Sequence, residues 1–524
     1  MIILTDPALS QDKSKGKESS QTKEGKKTQS GVPVAGWGRY EKIALTVVLM
    51  GVMMTGIDTT AVVLALPSMM TQLHTDLVSM VWVIMAYLVV ITILGTQVGR
   101  LGDMYGRVRM YNIGFAIFTV GSLFCGFAQT SPELIAFRVL QGVGGAMVFS
   151  NSGAIIADSI AADRRGRAYG ITGVGYSVGA ILGILVGGLI ITFISWRYIF
   201  FINIPLGIAA VVVTHKVLRD KSERIKQKID FAGMSLLGTG LFLVLLGLTY
   251  SAGAGVSFTT LALIAVGFGV ILGFIAWEKH YPRALLDLSL FRQRVLTASM
   301  FAAFFQALAS FAVLFLLIMY LQGARDLSPL NSALLLVPGY VLGAFIAPLA
   351  GRTSDKYGAR YIATLGLALQ GTGIFVYSLL SLSSPLWIVV VAAVMNGIGS
   401  SSFFPANNSA VMANAPPRAY GIASGLLRTF ANIGMVCSFA LALLIASLAI
   451  PRELAISIFL GTSTLGGKLA SAYISGMHFA LYSSIGIILV AITFSLLRGK
   501  ESRGGPELPT KHDTSAPEVA KNAS

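Results

Sequence analysis

The 524-residue chain is 55% hydrophobic and only 12% charged, with a net charge of +16 and a mean hydropathy of +0.75. A soluble protein of this size needs far more polar surface to cover its core, so the composition is that of a helical membrane protein. Cys125 and Cys437 lie inside apolar runs and the five histidines are scattered, which argues against a disulfide framework, a metal site or any other bound cofactor.

Residues 1–38 are rich in Lys, Ser, Gln and Gly and hold no apolar run of signal-peptide length, which predicts a disordered tail. Fourteen apolar segments of bilayer-crossing length follow, near 43–67, 79–98, 108–128, 133–157, 168–193, 198–214, 232–250, 257–277, 295–320, 331–350, 361–382, 386–412, 419–449 and 477–497. Pro205 and Pro405 fall inside spans and are expected to kink them. A second polar tail occupies 501–524.

With the first tail inside and the chain alternating, only Arg197, Arg325, Arg452 and Lys468 of the 39 Lys and Arg fall in outer segments, and Arg138 and Arg428 lie within spans. The rest lie inside, the asymmetry expected of a multi-pass protein of the cell membrane with both termini cytoplasmic. The same distribution, in loops and tails rather than on an aromatic-studded face, argues against nucleic acid as a partner.

A charged turn is written twice. GRLGDMYGRVRM (99–110) follows the second span, and GRTSDKYGAR (351–360) follows the tenth. In a chain of two six-span halves the second copy would follow the eighth. Two spans are therefore extra, and 232–250 with 257–277 is the candidate pair. The expected division is a six-helix bundle at 39–215, a linker with two extra spans at 216–294, and a second six-helix bundle at 295–500, as parallel repeats.

Asp58 lies deep in the first span with no other acid on it. Such a group is either satisfied by local backbone or water, or is a working ionisable residue. Arg138 in the fourth span is its natural partner. At 1.5 Å per residue both sit roughly 9–14 Å from the outer ends of their spans. Burial favours the neutral acid and a nearby guanidinium favours the carboxylate, so movement between two states can carry a proton. Arg138, Gln141, Gly142 and Gly145 share one helix face. Gly175, Gly179, Gly183 and Gly187 form a ridge on the fifth span suited to close packing. Gln141, Asn151, Gln306, Asn396 and Arg428 are polar groups within spans, each a cavity contact or interhelical glue. A membrane-embedded enzyme would need clustered carboxylates or a metal constellation. The spans instead offer mainly the isolated Asp58, with Asp158 near the inner end of the fourth.

These motifs resemble the major facilitator superfamily, and within it the fourteen-span drug:proton antiporters. The doubled turn resembles the superfamily's signature loop. GIDTTAVVLALP (56–67), LIAFRVLQGVGGA (134–146), GVGYSVGAILGILVGG (173–188) and SWRYIFFINIPLGI (195–208) resemble motifs of the first, fourth, fifth and sixth spans. The chain departs from the first- and fifth-span motifs at Val63 and Ile184, where Asn and Pro are usual, and near the start of the thirteenth span it has Ala431 where similar proteins often place Arg, with Arg428 one helical turn earlier. The resemblance implies an all-helical fold and export of amphipathic small molecules in exchange for protons, by alternating access, from a monomer in the lipid bilayer. A proton-coupled symporter or facilitator for a nutrient or organic acid is the alternative. It also implies a proton-coupling role for Asp58 and Arg138. A conformational latch would comprise Gly99, Asp103, Gly106 and Arg107, with Asp355, Gly358 and Arg360 in the second copy.

Overall fold

A computed structural model describes residues 37–160, 165–220, 229–280, 291–415, 420–459 and 467–499. Both tails, apart from 37 and 38, and parts of the linker lie outside them. The chain divides into Met1–Gly38 and Arg39–Ser524, and the second unit holds every described helix.

The helices are α1 (Arg39–Gln72), α2 (Leu77–Tyr105), α3 (Arg107–Phe127), α4 (Ser131–Ser159), α5 (Arg165–Phe193), α6 (Tyr198–Phe201), α7 (Asn203–Val217), α8 (Phe231–Ala254) and α9 (Phe258–His280). There follow α10 (Arg294–Ile318), which runs into a π-helical turn at Met319–Ala324, then α11 (Pro329–Tyr357), α12 (Ala359–Tyr377), α13 (Leu386–Asn414), α14 (Tyr420–Leu448), α15 (Arg452–Phe459) and α16 (Lys468–Leu496).

With α6 and α7 counted as one crossing, each of the fourteen expected segments coincides with helix. Thirteen are long and apolar enough to cross a membrane. The remaining one is α12, at 19 residues or about 28 Å. The short α15 and the π-helical turn were not legible in the hydropathy pattern. Ends are set by local chemistry. Asp76 accepts from the Ser79 amide and starts α2, and Thr130 followed by Pro132 starts α4. Pro205 has no N–H to offer the Phe201 carbonyl, and the sixth crossing breaks at Ile202. Pro405 sits within a continuous α13.

Packing repeats itself. α1 packs on α5 as α10 does on α14; α2 on α4 as α11 on α13; α3 on α4 as α12 on α13; and α3 on α7 as α12 on α16. Glycine lets the backbones approach where lipid supplies no hydrophobic drive. A Cβ on Gly114 would stand 2.7 Å from Met147 Cβ, and one on Gly399 would stand 2.5 Å from the Gln370 amide. The two sets meet through α5 with α11 and α2 with α14. α8 lies on that second seam, against both α2 and α14, with α9 packed on α8.

The face carrying Arg39 and the α2–α3 turn is called the near face, and the opposite one the far face. Among the described residues, two hydrogen bonds join the sets at the far face. The Leu330 amide donates to Thr192 Oγ1 (3.1 Å), and Gln322 Nε2, on the π-helical turn, donates to the Leu64 carbonyl (3.0 Å).

Candidate functional site

α1 places Asp58 inside the bundle, and α4 runs alongside it in the opposite direction. The two side chains that the sequence put at equal depth meet. Arg138 Nη1 donates to Asp58 Oδ2 at 2.7 Å and Oδ1 at 2.9 Å, and each residue is 1% exposed. One nitrogen makes both bonds. Nε of the same guanidinium donates to the Val83 carbonyl of α2 at 3.1 Å, and the group lies 4.2 Å over the Tyr87 ring. Arg138 is therefore held from α1 and α2 while rooted in α4.

Gln141, one turn on, extends the cluster. Its Nε2 donates to Asp58 Oδ1 (3.0 Å) and to Ser122 Oγ on α3 (2.6 Å), and its Oε1 accepts from Arg138 Nη1 (2.6 Å). Asn203 Nδ2 of α7 reaches Ser122 Oγ at 3.4 Å. The result is a buried ion pair within a hydrogen-bonded network. Isolated buried charge is costly, and this arrangement compensates it. Sequence reasoning missed Tyr87, Ser122 and Asn203, since a Tyr, Ser or Asn in a span carries no signal until the helices are packed.

The glycine ridge of α5 lies against the same α1. A Cβ at Gly175 would stand 2.5 Å from Leu49 Cδ2, one at Gly179 2.5 Å from the Met53 carbonyl oxygen, and one at Gly187 3.1 Å from Ala61 Cβ; one at Gly183 would collide with Thr60 Oγ1. Thr60 Oγ1 donates to the Ala180 carbonyl at 3.0 Å. α5 runs unbroken past Ile184, itself buried. The ridge thus seats α5 on the helix that carries Asp58.

At the near face, Gly106 joins α2 to α3 with φ 106°, and Gly358 joins α11 to α12 with φ 99°. Side chains rarely tolerate this conformation, which explains why glycine recurs in both copies. Arg107 donates through Nε to Asp103 Oδ1 (2.9 Å) and through Nη1 to Asp158 Oδ1 of α4 (2.7 Å). Asp220, beyond α7, accepts from the Val108 amide at 2.7 Å and caps α3. The sequence reading did not anticipate Asp220; a lone acid in a basic loop gave no hint of it. Gly99 has open space around the position of a Cβ. In the second copy the Arg360 Nε is buried without a partner among the described residues, and the side chain of Asp355 lies outside them.

The cavity candidates separate. Gln141 belongs to the Asp58 network. Asn151 bonds its own helix at the Met147 carbonyl (2.9 Å) and fills the space left by Gly102 of α2. Gln306 Nε2 donates to Gln370 Oε1 of α12 at 3.1 Å and is buried between helices. Asn396 is half-buried on α13, its backbone against Gly373 of α12. Arg428 is exposed, and its guanidinium lies 4.6 Å over the Phe149 ring of α4, reaching from one set of helices to the other.

Comparison with known proteins agrees with this architecture. The chain is 31% identical over 400 residues to the riboflavin transporter RibZ of Clostridioides difficile, covering 76% of this chain and 86% of that one. It is 28% identical over 392 residues to the tetracenomycin C resistance and export protein of Streptomyces glaucescens, covering 74% and 73%. Its fold superposes on a bacterial homologue of the human lysosomal transporter Spinster, in an inward-facing and unoccupied conformation, with a TM-score of 0.62 at 17% identity over 88% of this chain and 98% of that one. Residues 48–439 and 299–520 match the Major Facilitator Superfamily. This multi-pass chain is a member of that superfamily of membrane transporters.

Proposed function

We propose that the protein is a secondary transporter of the fourteen-span drug:proton antiporter type, exporting amphipathic small molecules from the cell in exchange for protons. The observation that carries the reading is the buried Asp58–Arg138 pair. It is a titratable carboxylate at 1% exposure whose counter-ion sits on a different helix. When Asp58 is ionised, the pair ties α1 to α4. Protonation removes the charge on one side, leaves Arg138 facing a neutral acid, and weakens the tie. Because α5 is seated on α1 through the glycine ridge, a shift of α1 is passed to α5, and from α5 to α11 in the other set.

In this reading the six-plus-two-plus-six division describes two rocking bundles, with α8 and α9 riding on their seam. The Asp103–Arg107–Asp158 cluster ties α2, α3 and α4 within the first set and holds the near-face turn that latches onto the second set, while the Gln322 and Thr192 bonds form the far-face closure. Substrate passes between the sets, where Arg428 and Phe149 face each other. The protein acts as a carrier rather than an enzyme, works as a monomer in the cell membrane, and keeps both tails in the cytoplasm. The export protein among its relatives supports the direction of transport.

The riboflavin transporter among the same relatives favours a second reading, transport of a planar metabolite. One experiment separates the two. Proteoliposomes with an imposed pH gradient are offered lipophilic cations, neutral drugs, riboflavin, sugars and organic acids, and proton flux is recorded. Proton release driven by several unrelated amphipathic compounds supports the first reading. Movement of riboflavin alone supports the second, and substrate movement without proton flux overturns the antiport.

A further inference from the structure

The two matched sets of helices differ in how their fifth and sixth crossings pack. In the second set, α14 and α16 pack directly on each other. In the first, their counterparts α5 and α7 both pack on α1 but scarcely meet. The cause is local. The break before Pro205 leaves α7 only 15 residues long and offset by α6, whereas α16 is a continuous 29 residues. Between α5 and α7, floored by α1, is a cavity of about 300 Å³ lined by Met53, Ile57, Leu182, Val186, Ile202 and Leu206. Every one of these side chains is apolar. The volume is room for about ten groups the size of a water molecule or methylene.

The cavity is continuous with the membrane-facing surface. Leu182, Val186, Leu189 and Phe193 recur along one face of α5, and the last two are 46% and 73% exposed on a helix long and apolar enough to cross a membrane. The stripe that lines the cavity therefore runs out onto the lipid surface toward the far face. Hydrocarbon entering an apolar space of this size makes dispersion contacts with every wall. A polar or amphipathic ligand finds no hydrogen-bonding side chain among the lining residues.

We propose that this groove binds one acyl chain of a bilayer phospholipid. The chain lies along the α1–α5 contact and touches Ile57, the residue before Asp58. The assignment does not rest on proton exchange and stands or falls separately from it.

The test uses the full-length protein in phosphatidylcholine vesicles containing a phospholipid with a diazirine on one acyl chain. After irradiation, adducts are mapped by peptide mass spectrometry. Labelling of the peptides holding Ile57, Val186 and Leu206 is expected to exceed severalfold that of Leu261, Val266 and Leu272, which are more than half exposed on α9. Equal labelling of the two regions overturns the proposal. The double variant Val186→Phe, Leu206→Phe fills the groove. It should bring groove labelling down to the α9 level while α9 labelling, the internal control for insertion and fold, is unchanged. Undiminished groove labelling in that variant also overturns it. Tetraphenylphosphonium added in excess should leave the groove adducts in place; their selective loss would make the groove a substrate site and refute the lipid assignment.

Discussion

Replacing Asp58 with Asn keeps the size and two hydrogen-bonding atoms but removes the charge that faces Arg138. The carboxylate accepts two bonds from Arg138 and one from Gln141 within a cluster at 1% exposure. Removing one partner of such a buried pair costs about 3–5 kcal/mol. Arg138 retains the Val83 carbonyl, Gln141 Oε1 and the face of Tyr87. A desolvated cation–π contact contributes up to about 2 kcal/mol, so the loss is expected at the lower end, near 3 kcal/mol. Substituting both residues, Asp58→Asn with Arg138→Met, removes the stranded charge and should recover most of that loss. Arg138→Met alone strands the Asp58 carboxylate at a similar cost, so the double variant should be more stable than the sum of the two singles by roughly 5 kcal/mol. Unfolding of the four proteins in detergent gives the energies. Proton flux in proteoliposomes gives the function: Asp58→Asn should lose pH-gradient-driven transport while retaining substrate-for-substrate exchange. A destabilisation below about 1 kcal/mol together with a wild-type proton-to-substrate ratio would refute both the energetic and the coupling argument, and Asp158 would be the next carboxylate to test.

Asp103→Asn leaves Arg107 its 2.7 Å bond to Asp158 in a half-buried setting. Stability should change by less than about 1 kcal/mol while transport turnover falls more than substrate binding, read by uptake and equilibrium binding; loss of binding in folded protein contradicts the latch. Gly106→Ala must hold a side chain at φ 106° against the Asp220 carboxylate and should cost about 1–3 kcal/mol. Asp220→Ala, which removes only the cap on the Val108 amide, should cost about 1 kcal/mol; thermal unfolding of both in one detergent compares them. Gly179→Val drives a side chain into the Met53 backbone of α1, whereas Gly173→Val meets open space. The first should destabilise by about 1–3 kcal/mol and the second barely at all, and equal effects would remove the α1–α5 seating argument. Single cysteines in the two tails should both resist membrane-impermeant labelling in intact cells, and labelling of only one would mean an odd number of crossings.

The sequence by itself determined the membrane character, the helical segments and the doubled turn. These are one-dimensional properties: apolar length fixes a crossing, and a glycine required at positive φ leaves the same letter at Gly106 and Gly358. It also placed Asp58 and Arg138 at equal depth, because a helix has a fixed rise per residue and adjacent crossings run in opposite directions. Depth says nothing of rotation about the helix axis, however. Only the packed bundle turned Asp58 toward Arg138, brought Ser122, Tyr87 and Asn203 to their network, and set Gln306 against Gln370 between helices while leaving Arg428 exposed over Phe149. The same holds for Asp220, which caps α3 from 112 residues away, and for the groove between α5 and α7. Each depends on which faces of separate helices meet, and no local pattern along the chain encodes that.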